Sequence, residues 1–403
     1  KFRLLSKNTL SDKNKSKIFS KISKEVKKLS PKNTFKLTRA FSHILNLMNL
    51  AESLDASRKL NEFENPYFKS KNQNLFIEDI IESLFKNKKI SDKKIYEQAT
   101  KLDIGIVLTA HPTEVKRRTL IQKYANLIEI MEQRHLYKKY PSKIIELDRK
   151  LYSEIAIIWK TDELKRTKPS PLDEARWGLA VIEDSLWDTI PKVYKRLNDI
   201  FRKNLKKDLP RDFNPIQFGS WMGGDRDGNP NVTAEVTKKV ILFSRWQAAK
   251  LYEKELTKLI QDLSMEECST KIKRATGNSY EPYRVYLRPI RDKVRLTHQL
   301  IENHLNNGAD LDEKKLIQNK NEITLPLREV RNSLKVNRGE HIANADLLDL
   351  MRRVRCFGIN LARLDIRQEA DRHEKLLNEI FKKKKNIKYS SLTEIEKVKL
   401  LNK

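Results

Sequence analysis

His111 is the residue of this 403-residue chain whose type and setting most directly predict chemistry. It follows the apolar run at residues 104–108 and precedes Pro112, whose ring restricts the preceding backbone and keeps a helix from starting there. An imidazole displayed at a strand end can serve as a general acid or base near neutral pH, or hold an anion when protonated. A hydrogen-bonded structural histidine is the alternative interpretation.

A glycine-rich segment at residues 219–229 is the second candidate. It contains four glycines, two aspartates and Arg226, and its first three residues are the end of a second apolar run at residues 216–221. Glycines let backbone amides approach a ligand closely, so the segment could cradle an anion. The alternative is a tight structural turn in which Arg226 pairs with Asp225 or Asp227, with Trp221 simply part of the core.

Two arginines, Arg363 and Arg367, lie in a third β-leaning run at residues 361–367. Their even separation predicts that both side chains lie on one face of a strand. Two guanidinium groups on a buried face are costly unless carboxylates or a phosphorylated substrate neutralise them. Asp365, two residues from each arginine, could pair with them in place of a substrate. A purely structural ion pair therefore remains the alternative.

The elements that must position these residues are short strands separated by long helices. Apolar residues recur every three or four positions through most of the chain, which predicts helix. We therefore predict an α/β, predominantly helical fold: a partial TIM-like (β/α)8 barrel with strands near residues 104–109, 216–221 and 361–367, completed by sequence beyond the fragment. An N-terminal helical region at 1–100 would precede the barrel segment at 101–403. His111, Trp221 and Arg367 should then converge at one edge.

Composition and charge narrow the class of protein. The chain is 38% hydrophobic and 34% charged, with only ten glycines and thirteen prolines, as in a helix-rich globular protein. A net charge of +29 favours a polyanionic partner, so a basic α-helical nucleic-acid-binding protein is the alternative function. The lysines are spread along the whole chain, however, which predicts no specific nucleic-acid binding.

The cysteines and the chain ends predict location and completeness. Cys268 and Cys356 are far apart and form no metal-like or redox-like pair, so a reduced, cytoplasmic protein is expected. The sequence has no stretch of eighteen consecutive apolar residues, so no membrane span is predicted. The chain begins with Lys1 and stops at Lys403 without a capping signal, which leads us to expect a fragment of a longer protein.

Taken together, these segments resemble the phosphoenolpyruvate carboxylase family. Residues 108–114, LTAHPTE, look like the first active-site motif of that family, and residues 220–229, SWMGGDRDGN, match its second familiar block. The likeness extends through residues 363–369, 173–178 and 39–41. It therefore covers nearly the whole chain.

The resemblance implies a two-step carboxylation of phosphoenolpyruvate. Bicarbonate attacks the phosphate, giving carboxyphosphate and the enolate of pyruvate, and the CO2 released from carboxyphosphate is captured by the enolate to form oxaloacetate. His111 matches the catalytic histidine that takes the carboxyphosphate proton. Arg367 matches an arginine that neutralises substrate charge, and Trp221 matches a wall of an apolar CO2 pocket.

The resemblance also implies further residues and partners. Arg363 and Arg226 are expected to bind substrate, while Arg117 and Arg118, with Arg166 as a third contributor, match residues that bind phosphorylated sugar activators in some members. Mg2+ or Mn2+ is the implied cofactor, with its ligands and a second catalytic histidine expected outside this chain. The fragment alone should be inactive, and the full-length protein should be a homotetramer that acts on phosphoenolpyruvate and bicarbonate.

Overall fold

The computed structural model of the chain describes residues 12–63, 77–87, 89–109, 118–162, 169–210, 212–227 and 229–402. These residues fall into two compact units. The first unit comprises Lys1–Asn72 and Glu114–Thr167, and the second comprises Gln73–Thr113 and Lys168–Lys403, within the described ranges. The division of the chain near residue 100 that the sequence suggests stays a prediction.

Helix dominates the described residues, and the strands are short. In chain order the elements are α1 Asp12–Lys27, α2 Pro31–Phe63, α3 Ile77–Lys86, α4 Asp92–Ala99, β1 Ile104–Leu108, α5 Arg118–Leu136, α6 Pro141–Lys160, α7 Pro171–Val181, α8 Trp187–Leu205, β2 Ile216–Ser220, α9 Ala234–Asp262, α10 Thr270–Thr276, α11 Pro282–Asn307, α12 Asn321–Val336, α13 Glu340–Ala343, α14 Asp346–Phe357, β3 Arg363–Leu364, α15 Ala370–Lys385 and α16 Glu394–Leu401. The predicted α/β class with a predominance of helix is confirmed. None of the described helices is both long and apolar enough to cross a bilayer.

The first unit consists of helices packed around a small apolar core. Leu120 and Leu127 of α5 and Ile158 of α6 are at most 3% exposed, and side chains of α2 pack against them. Lys123 and Glu154 form an ion pair of 3.1 Å between α5 and α6. This unit thus derives its stability from the apolar faces of amphipathic helices, as the periodicity predicts.

The second unit is organised around a column of stacked aromatic rings. Phe218 of β2 stacks on Phe357 of α14, and Phe357 stacks on Trp187 of α8, each with ring centroids 5.4 Å apart. All three side chains are at most 4% exposed. Because large aromatic side chains contribute most to core burial, this column anchors the middle of the sheet to two helices.

Local sequence signals explain where two helices beside the sheet begin. Ser170 and Asp173 form a reciprocal capping box at the start of α7, with Pro171 at its first position. Thr233 caps α9 by accepting a hydrogen bond from the Val236 amide at 3.3 Å. The glycine-rich segment therefore lies between the end of β2 and a fixed helix start.

The three strands form one parallel sheet in the order β1-β2-β3. Leu108 pairs with Ser220, and Ser220 pairs with Leu364, so the strands end at a common edge. The third strand is two residues long where the pattern predicts seven. The reason is that the chain turns directly after β2, and pairing resumes only at an isolated parallel bridge between Asp225 and Arg367.

Candidate active site

The carboxyl edge of the sheet brings together the segments that follow its strands. The Trp221 amide donates to the Leu108 carbonyl at 2.9 Å, and the Asp365 amide donates to the Ser220 carbonyl at 2.9 Å. The backbones that leave β2 and β3 are thus held side by side, next to the end of β1. Parallel β/α proteins place their chemistry at this edge.

Trp221 and Arg367 meet at this edge. The Arg367 guanidinium carbon lies 4.4 Å from the centroid of the Trp221 ring, a cation–π arrangement. Such a contact contributes about 0.5–1 kcal/mol at an exposed site. Trp221 is half-buried rather than a core residue, and the Arg367 side chain is 45% exposed. The Trp221 ring therefore positions the Arg367 guanidinium where a solute can contact it.

The carboxylate that pairs with Arg367 comes from the glycine-rich segment. Arg367 Nη1 donates to Asp225 Oδ2 at 3.3 Å. The sequence suggests Asp365 as the carboxylate that would pair with this arginine. The Asp365 carboxylate instead lies near Gly219, 3.5 Å from where a side chain on that glycine would begin. A guanidinium has five N–H donors. Among the described residues Arg367 uses one of them, on Asp225, which leaves donors for an anionic ligand.

Sequence reasoning missed Asp225 as this partner because the two residues are 142 positions apart. Their contact depends on the parallel bridge, in which the Arg226 amide donates to the Arg367 carbonyl and the Arg367 amide donates to the Gly224 carbonyl, each at 3.0 Å. An aspartate in a glycine-rich turn was the available signal. Without the pairing of the loop with β3, that signal could not be assigned to Arg367.

The glycine-rich segment is built as a turn, and most of its amides are already bonded. The Gly224 and Asp225 amides donate to the Trp221 carbonyl, and the Asp227 amide donates to Asp225 Oδ1 at 3.2 Å. The Met222 amide donates to Ser220 Oγ at 3.2 Å. Of the two interpretations left open by the sequence, this bonding favours the structural turn over an amide cradle for an anion.

Two glycines of the segment are required by the backbone itself. Gly223 has a φ of +80°, and a side chain there would begin 2.5 Å from Val240 Cγ2. At Gly224 a side chain would begin closer than 3.0 Å to the Asp365 carbonyl oxygen. Glycine is therefore needed at one position for its left-handed conformation and at the next for close backbone approach.

Arg226 is directed to helix α9. Its Nη2 donates to Thr237 Oγ1 at 3.2 Å, and Thr237 in turn donates to the Gly223 carbonyl at 2.8 Å. Among the residues described, it forms an ion pair with neither adjacent aspartate, which excludes the internal pairing suggested by the sequence. Its Nε is buried and has no hydrogen-bond partner there. A substrate-binding role for Arg226 stays a prediction.

Arg363 and Arg367 are in different surroundings. Arg363 lines a cavity of about 550 Å³ together with Asn214 and Gln217, which lie before and within the amino half of β2. Arg367 lies beyond the carboxyl end of that strand. The regular alternation that predicted a shared face ends at Leu364, because the strand ends there.

Several predicted site residues lie outside the described residues: His111, Arg117 and Arg166. Arg118 is the first residue of α5, and only its backbone is described. Within the described ranges no group of three or more His, Cys, Asp or Glu side chains could hold a metal ion. The described residues therefore do not fit a Mg2+ or Mn2+ site.

Comparison with known proteins gives a consistent result. The family model for phosphoenolpyruvate carboxylase matches residues 1–403. A phosphoenolpyruvate carboxylase of Acinetobacter baumannii is 43% identical over 349 residues, which are 85% of this chain and 38% of that relative. The corresponding protein of Tolumonas auensis is 38% identical over 379 residues, or 93% of this chain and 42% of the relative. That of Shewanella oneidensis is 41% identical over 350 residues, with 85% and 38% covered.

Two facts follow from these matches. The chain spans about two fifths of the length of the curated relatives that it matches. The family model and these relatives are all carboxylases by name, so the alternative of a basic nucleic-acid-binding protein has no support among them.

Proposed function

Because this chain belongs to the phosphoenolpyruvate carboxylase family, we propose that it forms the amino-terminal part of an active site that carboxylates phosphoenolpyruvate with bicarbonate, giving oxaloacetate and phosphate. The observation that supports this proposal is the Arg367 guanidinium held over Trp221 at the carboxyl edge of a parallel sheet. The three strands are, in the same proposal, the first part of a β/α barrel that other strands complete.

The chemistry assigned to each residue follows from its side chain. Phosphoenolpyruvate carries a phosphate and a carboxylate, and Arg367 offers both positive charge and N–H donors to such an anion. Bicarbonate attacks the phosphorus atom, and the bond from phosphorus to the enol oxygen breaks. Carboxyphosphate and the enolate of pyruvate result. Arg367 stabilises the negative charge that develops in this step.

His111 and Trp221 serve the second step. His111, three residues after the last residue of β1, takes the proton of carboxyphosphate, so that it splits into CO2 and phosphate. Trp221 walls an apolar space in which CO2 meets the enolate, and it excludes water that would protonate the enolate. The new carbon–carbon bond gives oxaloacetate.

Other parts of the proposal rest on family membership. A divalent cation, Mg2+ or Mn2+, supplies positive charge to the complete site, and no described residue is assigned to it. Arg117, Arg118 and Arg166 are proposed to bind phosphorylated sugar activators, and Arg363 and Arg226 to assist substrate binding. A homotetramer in the cytoplasm is the proposed state of the full-length enzyme.

Residues 1–403 alone should give no oxaloacetate above the blank in a coupled assay with phosphoenolpyruvate, bicarbonate and Mg2+. The physical reason is that three strands cannot close a barrel, so water has access to the edge where the enolate would form. A chimaera in which this chain replaces the matching segment of the Acinetobacter baumannii relative should turn over. The unmodified relative is the positive control. Oxaloacetate from the 403-residue chain, or a folded chimaera without activity, would contradict the proposal.

Arg367→Gln in the same chimaera should raise the KM for phosphoenolpyruvate about tenfold or more, because it removes charge-assisted hydrogen bonds to the substrate. Its thermal midpoint should change little, since the contacts to Trp221 and Asp225 are partly exposed. Arg372→Gln, which makes the same charge change at a side chain 66% exposed on α15, is the matched control. If both variants alter KM equally, Arg367 acts only through the general field of the protein.

A further inference from the structure

A cleft in the second unit lies away from Trp221 and Arg367, although Arg355, which lines it, also lines the cavity that contains Arg363. The cleft is bounded by α8, α12 and α14 and has a volume of about 390 Å³. Cavities that bind small molecules have volumes of about 300–1,000 Å³. Phe213 lines the cleft and precedes β2, whereas Trp221 follows that strand. Because a strand rises about 3.3 Å per residue, the five residues of β2 separate the two places by roughly 16 Å.

The lining of this cleft is strongly basic and rich in arginine. Seven Lys and Arg side chains line it, against two aspartates, Asp199 and Asp208. Five of the seven are arginines, although the whole chain has 28 arginines and 55 lysines. A general drift of composition toward lysine would produce the opposite ratio. The guanidinium fork, which matches phosphate geometry, is what distinguishes arginine from lysine.

Five of the seven basic residues form rows on two of the three helices that bound the cleft. Arg328, Arg331 and Lys335 follow one another at spacings of three and four on α12, and Arg352 and Arg355 are three apart on α14. Residues at these spacings share a helix face, where like charges destabilise the helix by about 0.2–0.5 kcal/mol per pair. Stability of the helices therefore does not explain the rows.

Counter-charges offset only part of the positive charge of the cleft, since they include the Asp208 carboxylate 2.8 Å from Arg202 and the Glu340 carboxylate 3.2 Å from Lys335. Burial lowers the pKa of Arg355; nearby Asp212 opposes that effect, whereas Arg352 and Arg328 add to it. Arg352 pairs with Asp349 at 3.1 Å, yet burial raises the pKa of that carboxyl. Burial likewise raises the pKa of Tyr194, so this phenol carries no charge at neutral pH. The cleft thus keeps excess positive charge.

The arginines that line the cleft differ in how many hydrogen bonds and ion pairs they form with the protein. Arg202 is paired with Asp208 at 2.8 Å, and Arg331 Nη2 donates to Asn344 Oδ1 at 2.7 Å. Arg328 forms no hydrogen bond or ion pair within the part of the chain that the structure describes. It is exposed and lines both this cleft and the adjoining cavity that contains Asp212. Its donors are available to a ligand.

We propose that this cleft binds a small phosphorylated anion with two or more negative charges, at a site separate from Trp221 and Arg367. Arg328 and Arg355 hold the phosphate oxygens. The apolar wall formed by Leu209, Phe213 and Met351 faces the carbon skeleton of the ligand. An anion of this kind balances the excess of seven basic side chains over the two aspartates that line the cleft.

Isothermal titration of residues 1–403 with inorganic pyrophosphate, at constant ionic strength and without divalent cations, tests the proposal. We expect one saturable site. Arg328→Gln and Arg355→Gln should each raise Kd about tenfold, because each removes charge-assisted hydrogen bonds. Arg328 is exposed and bonds no protein group that is described, so its variant should fold normally, as circular dichroism will show.

Matched controls separate this site from the general basic surface and from the candidate active site. Arg288→Gln makes the same charge change at an exposed position of α11, outside the cleft, and should leave Kd within about twofold. Arg367→Gln should also leave Kd unchanged. Absence of saturable binding, or equal weakening by Arg288→Gln or Arg367→Gln, would overturn the proposal. Succinate binding as tightly as pyrophosphate would overturn the assignment to phosphorylated ligands.

Discussion

His111→Asn should abolish oxaloacetate formation by the chimaera while leaving phosphoenolpyruvate binding nearly intact. Proton transfer by a positioned side chain raises the rate by about 10²–10⁴-fold. Asparagine can form hydrogen bonds but cannot act as a general acid or base near neutral pH. Arg367 remains in the variant, so the substrate anion still has its cationic partner. We therefore expect kcat to fall by two orders of magnitude or more, with little change in substrate affinity measured by equilibrium binding.

The control for this experiment is His135→Asn, the same substitution at an exposed residue in the last turn of α5. It should keep the activity of the unmodified chimaera. Release of free phosphate adds a second measurement, because a variant that forms carboxyphosphate without using it can still cleave phosphoenolpyruvate. Undiminished oxaloacetate formation in His111→Asn would show that another group takes the proton. Loss of substrate binding together with activity would identify His111 as a binding residue instead.

Gly224→Ala should disrupt the edge of the sheet. The added methyl group would begin closer than 3.0 Å to the carbonyl oxygen of Asp365, a backbone atom that no side-chain rotation can move away. The loop must then shift away from β3, which breaks the bridge between Asp225 and Arg367. We expect a loss of about 2–3 kcal/mol in the free energy of unfolding of the second unit, as for overpacking in a core.

Hydrogen exchange is the suitable measurement, because the chain has two compact units and its unfolding need not be a single transition. Amides of residues 220–227 and 363–367 should lose protection in Gly224→Ala. Gly105→Ala on β1 is the matched control: no atom lies within 4 Å of the new methyl group, so its stability should be unchanged or slightly higher. Equal protection in the two variants would contradict the close approach on which the prediction rests.

The local features of the sheet could be predicted from the sequence. Residues 104–108 and 216–220 are compact apolar runs without the spacing of an amphipathic helix, and both are strands. Parallel pairing follows from the long helical segments between them. The length of β3 could not be predicted in this way. It depends on where its neighbour β2 ends and turns, which the composition of residues 361–367 does not reveal.

The contacts of the arginines show the same limit. Sequence spacing proposed Asp365 as the partner of Arg367, and an aspartate beside Arg226 as its partner. Arg367 instead bonds Asp225, and Arg226 bonds Thr237. Spacing along a chain predicts neighbours only where the secondary structure is regular. Both arginines lie where a strand has ended, so their partners come from segments brought close by the turn at residues 222–224.

The sequence by itself determined the family, the helical character and the two longer strands, because each is recorded in local pattern or in motifs. Only the tertiary structure decided that Arg367 lies over Trp221, that the glycine-rich segment is a bonded turn, and that Arg328 and Arg355 share a cleft. These facts depend on contacts between residues far apart in the chain. Packing and backbone hydrogen bonding select such contacts, and no local pattern encodes them.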